Sequence, residues 1–237
     1  SDLKKIYLGG IVLILLMWHF VSFFYSPLII PSPIATARAV FHIIKYQNCI
    51  SNILISFGRL VCAILSAVIL GVILGIFSGL NHKVRDMFFP FFSIIQSAPP
   101  ISWLALAMIW FGINGKTTIF ITIISCFPMI FINIIAGIEN LDWKLVEMGK
   151  IYKFSNYKIL REIIMPALQS YFKSGLNAAI GLGWKVIIMG EVLSANSGIG
   201  SEITDARLNI ETDEVLAWSG IVVVLCAFTQ NLNEKIV

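Results

Sequence analysis

The segment ENLDWKLVEMGKIYKFSNYKILREIIMP, residues 139–166, is a long polar insert between two apolar runs, carrying Lys144, Lys150, Lys153, Lys158 and Arg161 among acids and apolar residues. Around it the chain is 58% hydrophobic and 13% charged over 237 residues, with mean hydropathy +0.88. Soluble domains carry roughly 25% charged residues, so this composition excludes a water-soluble fold and reads as an all-α integral membrane protein. A helical span uses about 20 apolar residues, and the runs divide into about six spans in a single domain over residues 1–237.

Residues 6–26 follow Lys4 and Lys5 and read as a retained anchor helix, since the run is long for a leader and no small-residue cleavage site follows. The prolines Pro27, Pro31 and Pro33 stop it. Residues 34–50, with Arg38, His42 and Lys45, read as a short interfacial helix. A second span over 53–79 holds Gly71, Gly75 and Gly79 at four-residue spacing, a groove for close helix packing. After a polar turn at 81–86, a third span over 87–112 is interrupted by Pro99 and Pro100, which must break or kink it. In lipid such a break is tolerated only where protein or a water-filled path satisfies the freed backbone groups. That makes 96–112, with Trp103, Met108, Trp110 and Phe111, a candidate wall or gate of a pathway; packing or lipid-facing aromatics are the plain alternative. A fourth span covers 117–138, a fifth 167–193 with the small residues Gly175, Ala179 and Gly183, and a sixth 215–230.

Basic residues set the orientation. With the N-terminus inside, Lys4, Lys5, Lys83, Arg85, Lys144, Lys150, Lys153, Lys158, Arg161, Lys173 and Lys235 face the cytoplasm, whereas Arg38, Lys45, Lys116 and Arg207 face outward. The insert at 139–166 then lies inside, and the loop at 194–214 is an acidic outer one. GINGKT at 112–117 ends like a phosphate-binding loop but has Trp110 where the first glycine is required, so the chain itself is expected to bind no nucleotide. Four scattered cysteines and three scattered histidines indicate no metal site. The basic residues follow membrane loops, not a nucleic-acid surface. Arg59, Lys185 and Glu191 lie within spans and are functional candidates because charge in lipid is costly. Arg59 and Glu191 read equally as pathway residues and as structural partners; Lys185 is a candidate attractor of an anionic solute.

Several stretches together resemble the membrane permease subunits of bacterial ABC importers for nitrate, sulfonate and taurine. Glu147, Met148 and Gly149 stand where that family has Glu-Ala-Ala, Lys153 stands where it has a glycine, and Met165-Pro166 matches its terminal apolar-Pro. PPISWLALAMIWFGI (99–113), LIIPSP (28–33), SFGRL (56–60), and GWKVIIMGE (183–191) with SGIG (197–200) extend the resemblance over nearly the whole chain. It implies a type I ABC importer permease fold in the bacterial inner membrane. It implies a pathway formed by two copies, a cytoplasmic ATPase dimer that binds ATP and Mg, and an external solute-binding protein. It also implies a coupling helix between spans 4 and 5, placed at Glu147–Lys158 with Lys150 and Lys153 as contacts and Pro166 ending it and starting the fifth span. The opposing readings are a gradient-driven secondary transporter or independent channel, which calls for internal repeats and paired acids, and a membrane enzyme, which calls for clustered catalytic side chains.

Overall fold

A computed structural model describes residues 2–46 and 48–236, with side chains for 9–45 and 48–233; the side chains of Lys4, Lys5 and Lys235, used above for orientation, lie outside the described residues. The described chain is helical throughout: α1 Asp2–Ser22, α2 Pro33–Tyr46, α3 Cys49–Gly79, α4 His82–Ser97, α5 Pro100–Phe111, α6 Gly115–Glu139, α7 Trp143–Ile151, α8 Asn156–Ile159, a π-helical turn Leu160–Ile164, α9 Met165–Ser194, α10 Ile199–Leu208 and α11 Thr212–Ile236. Among the described residues four helices are long and apolar enough to cross a membrane: α3, α6, the continuous run Asn156–Ser194, and α11 over Thr212–Asn233. The pair α4 and α5 makes a fifth if counted as one bent span, and Gly9–Ser22 of α1 is a shorter apolar helix.

The core is α6 sandwiched between α3 and α9. Backbones in lipid approach closely where side chains are small, because packing rather than water exclusion drives association. Gly71, Gly75 and Gly79 of α3 face Ile130, Ile134 and Ile138 of α6: a Cβ added at the first two would lie 2.8 Å from the isoleucine Cβ, and at the third 2.5 Å from Ile138 Cδ1. On α9, a Cβ at Gly175 would meet Asn133 at 3.0 Å and one at Gly183 would meet Leu60 at 2.9 Å. Between them Ala179 is fully buried, its carbonyl 3.4 Å from Cys126 Sγ. The α3 row therefore receives a row of isoleucines, and the small residues of α9 let both α6 and α3 approach. Trp184 Nε1 donates to Thr229 Oγ1 at 3.0 Å, fastening α11 to α9, and α2 lies against α11 with His42 Nδ1 3.4 Å from Glu214.

Three local features differ from the sequence expectation, while the break expected at Pro99 and Pro100 is present. The polar turn at 81–86 is the first turn of α4, because Asn81 caps it by accepting from Lys83 N. The third span is two helices bent by 94°. Ala98 and Pro99 each precede a proline and are both extended, at ψ 134° and 133°, so the chain leaves one helix and enters the next with Pro100 in its first turn. The loop at 194–214 contains α10. Pro166 does not end a helix; it sits in the first turn of α9 inside the continuous run from Asn156. Its ring would clash with the carbonyl four residues earlier in an α-helix, and the π turn before it, with Met165 N bonded to Leu160 O, widens the helix at that point.

Gly75→Leu is expected to force α3 and α6 apart and destabilise the protein by about 1–3 kcal/mol, the usual cost of overpacking. Gly58→Ala, where a Cβ meets nothing within 4 Å, is expected to leave stability unchanged or slightly raised. Thermal unfolding of the detergent-solubilised protein separates the two.

Candidate functional site

Two polar assemblies stand out against the apolar body, one at each end of the core. At the α10 end, the carboxylate of Glu191 is fully buried. Its Oε1 pairs with Arg59 Nη1 at 2.6 Å, and its Oε2 accepts from Ser56 Oγ at 2.7 Å and Gly200 N at 3.0 Å. Arg59 also donates to Ser197 O and Ser197 Oγ, both at 2.7 Å. One turn along α3, Asn52 accepts from Gly198 N at 3.2 Å and donates to Glu202 Oε1 at 2.7 Å, while Ser56 Oγ accepts from Ile199 N at 2.9 Å. A buried ion pair is tolerable only when further hydrogen bonds fill the remaining valences, and here every contact comes from α3, α9 or the start of α10.

The glycines explain the motif SGIG. Gly198 has φ +99° and a Cβ there would lie 2.5 Å from Glu191 Oε1, and a Cβ at Gly200 would run into Glu191 Cβ. Gly115 leaves room for the guanidinium of Arg59, whose Nε would be 2.6 Å from a Cβ at that position. The glycine of the GKT trio thus makes room for an arginine side chain. Glu202 sits half-buried at the edge, and its carboxyl is raised above the usual range by burial, with Asp205 and Glu214 adding to the effect and the Asn52 amide opposing it. A raised carboxylate stabilises the fold most when protonated, so its contribution is present at acid pH and is lost as pH rises through its folded pKa.

At the opposite end, α7 is capped by Asp142, which accepts from Lys144 N. The helix starts at Trp143, so Glu147 lies at its middle and Asp142 is the acid that faces the helix dipole. The helix is also shorter than Glu147–Lys158: it stops at Ile151, and Lys153 has φ +56°. Lys153 N donates to Lys150 O and Phe154 N to Gly149 O, both at 2.9 Å, the pair of bonds of a Schellman turn. Lys158 lies 3.9 Å above the ring of Phe154. Gly149 is buried, with Ile163 Cδ1 3.0 Å from where its Cβ would be, so it packs α7 onto the π turn and is not itself open to a partner. Met148, Ile151 and Tyr152 project outward, the last two 79% and 70% exposed. Arg85 at the start of α4 pairs with Glu139 at the end of α6 beside this assembly.

Along the middle, Lys185 of α9 is exposed, and among the described residues no carboxylate lies within 4 Å of it. Trp103 and Met108 of α5 pack on a small cluster of Leu104, Ala107, Ile121 and Val186, and the indole N–H of Trp103 is buried without a hydrogen-bond partner. Pro99 and Pro100 form the α4–α5 corner, and Trp110 and Phe111 meet Phe120 at ring distances of 5.7 and 5.0 Å. Arg59 and Glu191 are joined to each other and enclosed by α10, apart from Lys185. Ser56 and Ser197 entered the sequence reading only as members of SFGRL and SGIG, and Asn52 and Glu202 carried no signal of a partner, since a lone polar residue points to a partner without naming it.

Known proteins share this chain's pattern. A family model described as the binding-protein-dependent transport system inner membrane component matches residues 67–233. The taurine transport system permease protein of Escherichia coli is 25% identical over 235 residues, spanning 96% of this chain and 85% of that protein. The bicarbonate transport system permease protein of Synechococcus elongatus is 33% identical over 141 residues, 59% of this chain and 51% of its own. Among solved structures, a chain of the MetNI methionine ABC transporter in inward facing conformations superposes with TM-score 0.67 at 15% identity, covering 77% of this chain and 91% of that one.

Arg59→Leu is expected to leave the Glu191 carboxylate buried without its counter-ion and to cost about 3–5 kcal/mol. The loss should appear as a lower unfolding midpoint in detergent, accompanied by protease cleavage between residues 195 and 199 as α10 comes free.

Proposed function

The chain belongs to the inner-membrane components of binding-protein-dependent transport systems, the permease subunits of ABC importers, and on that premise we propose that two copies form the pathway for a small anion of sulfonate, taurine or nitrate type. In this reading an external solute-binding protein delivers the anion at the α10 end, and a cytoplasmic ATPase dimer, which alone binds ATP and Mg, drives the cycle from the α7 end. The N-terminus and α7 are cytoplasmic, in keeping with Lys83, Arg85, Lys144, Lys150, Lys153, Lys158, Arg161 and Lys173 at that end.

The observation that carries the coupling role is the form of α7: a short capped helix whose inner face is packed and whose outer face, with the turn that follows, is an exposed apolar and cationic ridge, Met148, Ile151, Tyr152 and Lys153, while Lys150 stands on the side of Trp143 and Val146. Exposed aromatic and aliphatic side chains ringed by charge favour a protein partner. A motor can shift a pathway between two states only through contacts that differ between them, which requires a stiff joint. Gly149 against Ile163 and the unbroken run Asn156–Ser194 make α7 and α9 such a joint. A push on α7 then reaches the far end of α9, where Glu191 holds α10. Glu147 sits on the exposed side of α7 and takes part as a charged rim contact, while Pro166 fixes the π turn through which the push passes.

For the cargo, Lys185 offers an exposed positive charge on the long helix α9, a costly arrangement in a span unless it faces water or an anion. Trp103 and Met108 lie on the neighbouring α5 and give the path its apolar wall.

Ile151→Asp combined with Tyr152→Asp is expected to abolish co-purification of the ATPase subunit and ATP-driven uptake together while the permease stays monodisperse; retained association would sink the coupling role. Lys185→Ala is expected to lower uptake of anionic solute by about tenfold, roughly the effect of 1.4 kcal/mol, with Lys185→Arg largely retaining it. An equal loss for a neutral solute would contradict the anion reading without touching the coupling one.

A further inference from the structure

An apolar groove of about 540 Å³ runs along one side of the core, walled by Val72, Ile73 and Ile76 of α3, Ile134 of α6, and Leu168 and Phe172 of α9. It continues past Ile76, which both hollows share, into a second one of about 440 Å³ between Leu80, Trp143, Tyr157 and Ile164, where Lys150 stands at the rim. From Val68 to Leu80 the α3 wall rises about 18 Å at 1.5 Å per residue, about the depth of one leaflet of a hydrocarbon core roughly 30 Å thick. The lining changes character along that length. The deep part is mostly aliphatic with one phenylalanine, whereas the end toward α7 has the tryptophan and tyrosine that favour the water interface. It also has Lys150, which has no carboxylate within 4 Å among the described residues.

We propose that this groove binds an anionic phospholipid of the cytoplasmic leaflet, an acyl chain lying between α3 and α9 and the phosphate at Lys150. Three features on one continuous surface select this occupant: an apolar trough of leaflet depth, an aromatic interfacial end, and an unneutralised cation at that end. Basic pockets between transmembrane helices on the cytoplasmic side favour anionic headgroups. A helix from a second copy would need no cation at the interface. A free anion would need no trough. The consequence is mechanical, because the groove wall includes Trp143 and Val146 of α7 and Leu160 of the π turn. An occupying lipid braces the joint between α7 and α9, and its loss loosens that joint. The assignment to the inner leaflet rests on the orientation proposed above; the groove's preference for an anionic lipid does not.

The test is native mass spectrometry of the full-length protein released from nanodiscs of phosphatidylglycerol mixed equally with phosphatidylcholine. The wild type is expected to retain phosphatidylglycerol over phosphatidylcholine by about fivefold, the worth of one basic residue near an anionic surface. Lys150→Glu should erase that preference, and Ile73→Trp, at an exposed position of the groove wall, should remove retained lipid of both kinds while leaving the protein monodisperse. Equal retention of the two lipids, unchanged by either variant, would overturn the proposal. So would inorganic phosphate protecting Lys150 from acylation as well as phosphatidylglycerol does, or disulfide formation between two copies carrying Ile73→Cys. Labelling of Tyr152→Cys by an impermeant maleimide reports the orientation separately: reaction from the outer side would overturn the leaflet assignment and the coupling reading while leaving the lipid result to stand or fall on its own.

Discussion

A carboxylate with no exposed surface, buried at the α10 end of an apolar bundle, dictates much of what surrounds it. Glu191 cannot be solvated by lipid and cannot reach water, so its four acceptor positions must be filled from the chain. Arg59, Ser56 and Gly200 fill three of them. Each donor has its own demand: the guanidinium needs Gly115 out of its way and Ser197 for its other nitrogens, while the Gly200 amide reaches Glu191 only because positions 198 and 200 lack a Cβ. The result is a closed circuit through α3, α9 and α10. Such a circuit is worth little as net stability compared with an apolar core of the same shape. Its value lies in geometry, since it fixes which residues of α3 and α9 face each other and holds a polar helix against the end of an apolar bundle.

The glycine rows act on the same helices by other means. In water, burial of apolar area would pull α3 and α6 together; in lipid that driving force is nearly absent, and contact area at short range takes its place. Ile130, Ile134 and Ile138 fall into the spaces left by Gly71, Gly75 and Gly79 in matching four-residue steps. This ladder sets the separation and axial register of α3 against α6, and the small residues of α9 admit Asn133 and Cys126 of α6 and Leu60 of α3. The polar circuit and the ladder agree on one register, which leaves the ends of the bundle as the places where the chain has freedom.

What the sequence makes legible follows from this division. Long apolar runs announce α3, α6, α9 and α11 because lipid imposes a length. Pro99 and Pro100 announce the corner between α4 and α5 because each proline forbids helical geometry to the residue before it. The small-residue rows are visible because their spacing is the helix repeat. Less legible are features whose partners are remote in sequence. Asn52 meets Gly198 and Glu202, and Ser56 meets Ile199, across some 140 residues, and nothing in the α3 segment names those partners. The helix α10 hides in a polar stretch with no apolar period. Pro166 was misleading for a different reason: its usual effect of stopping a helix was absorbed by a π turn, an option that depends on what packs around Leu160–Ile164.

Lys153 shows how a residue with a Cβ can close the turn where the resemblance sets a glycine. The left-handed conformation costs a residue with a Cβ about 1–2 kcal/mol, and the chain adopts it there nonetheless, with both bonds of the Schellman turn in place. Two contacts oppose that cost. Phe154, the residue after the turn, packs on the buried Gly149 side of α7, and Lys158 covers the outer face of the same ring. The ring is held from both sides, which favours the left-handed course at the residue before it. Backbone shape at the α7 turn is thus imposed by packing around Phe154 instead of being granted by a glycine. A lysine at the tip, unlike glycine, also adds a positive charge to the exposed ridge that α7 presents.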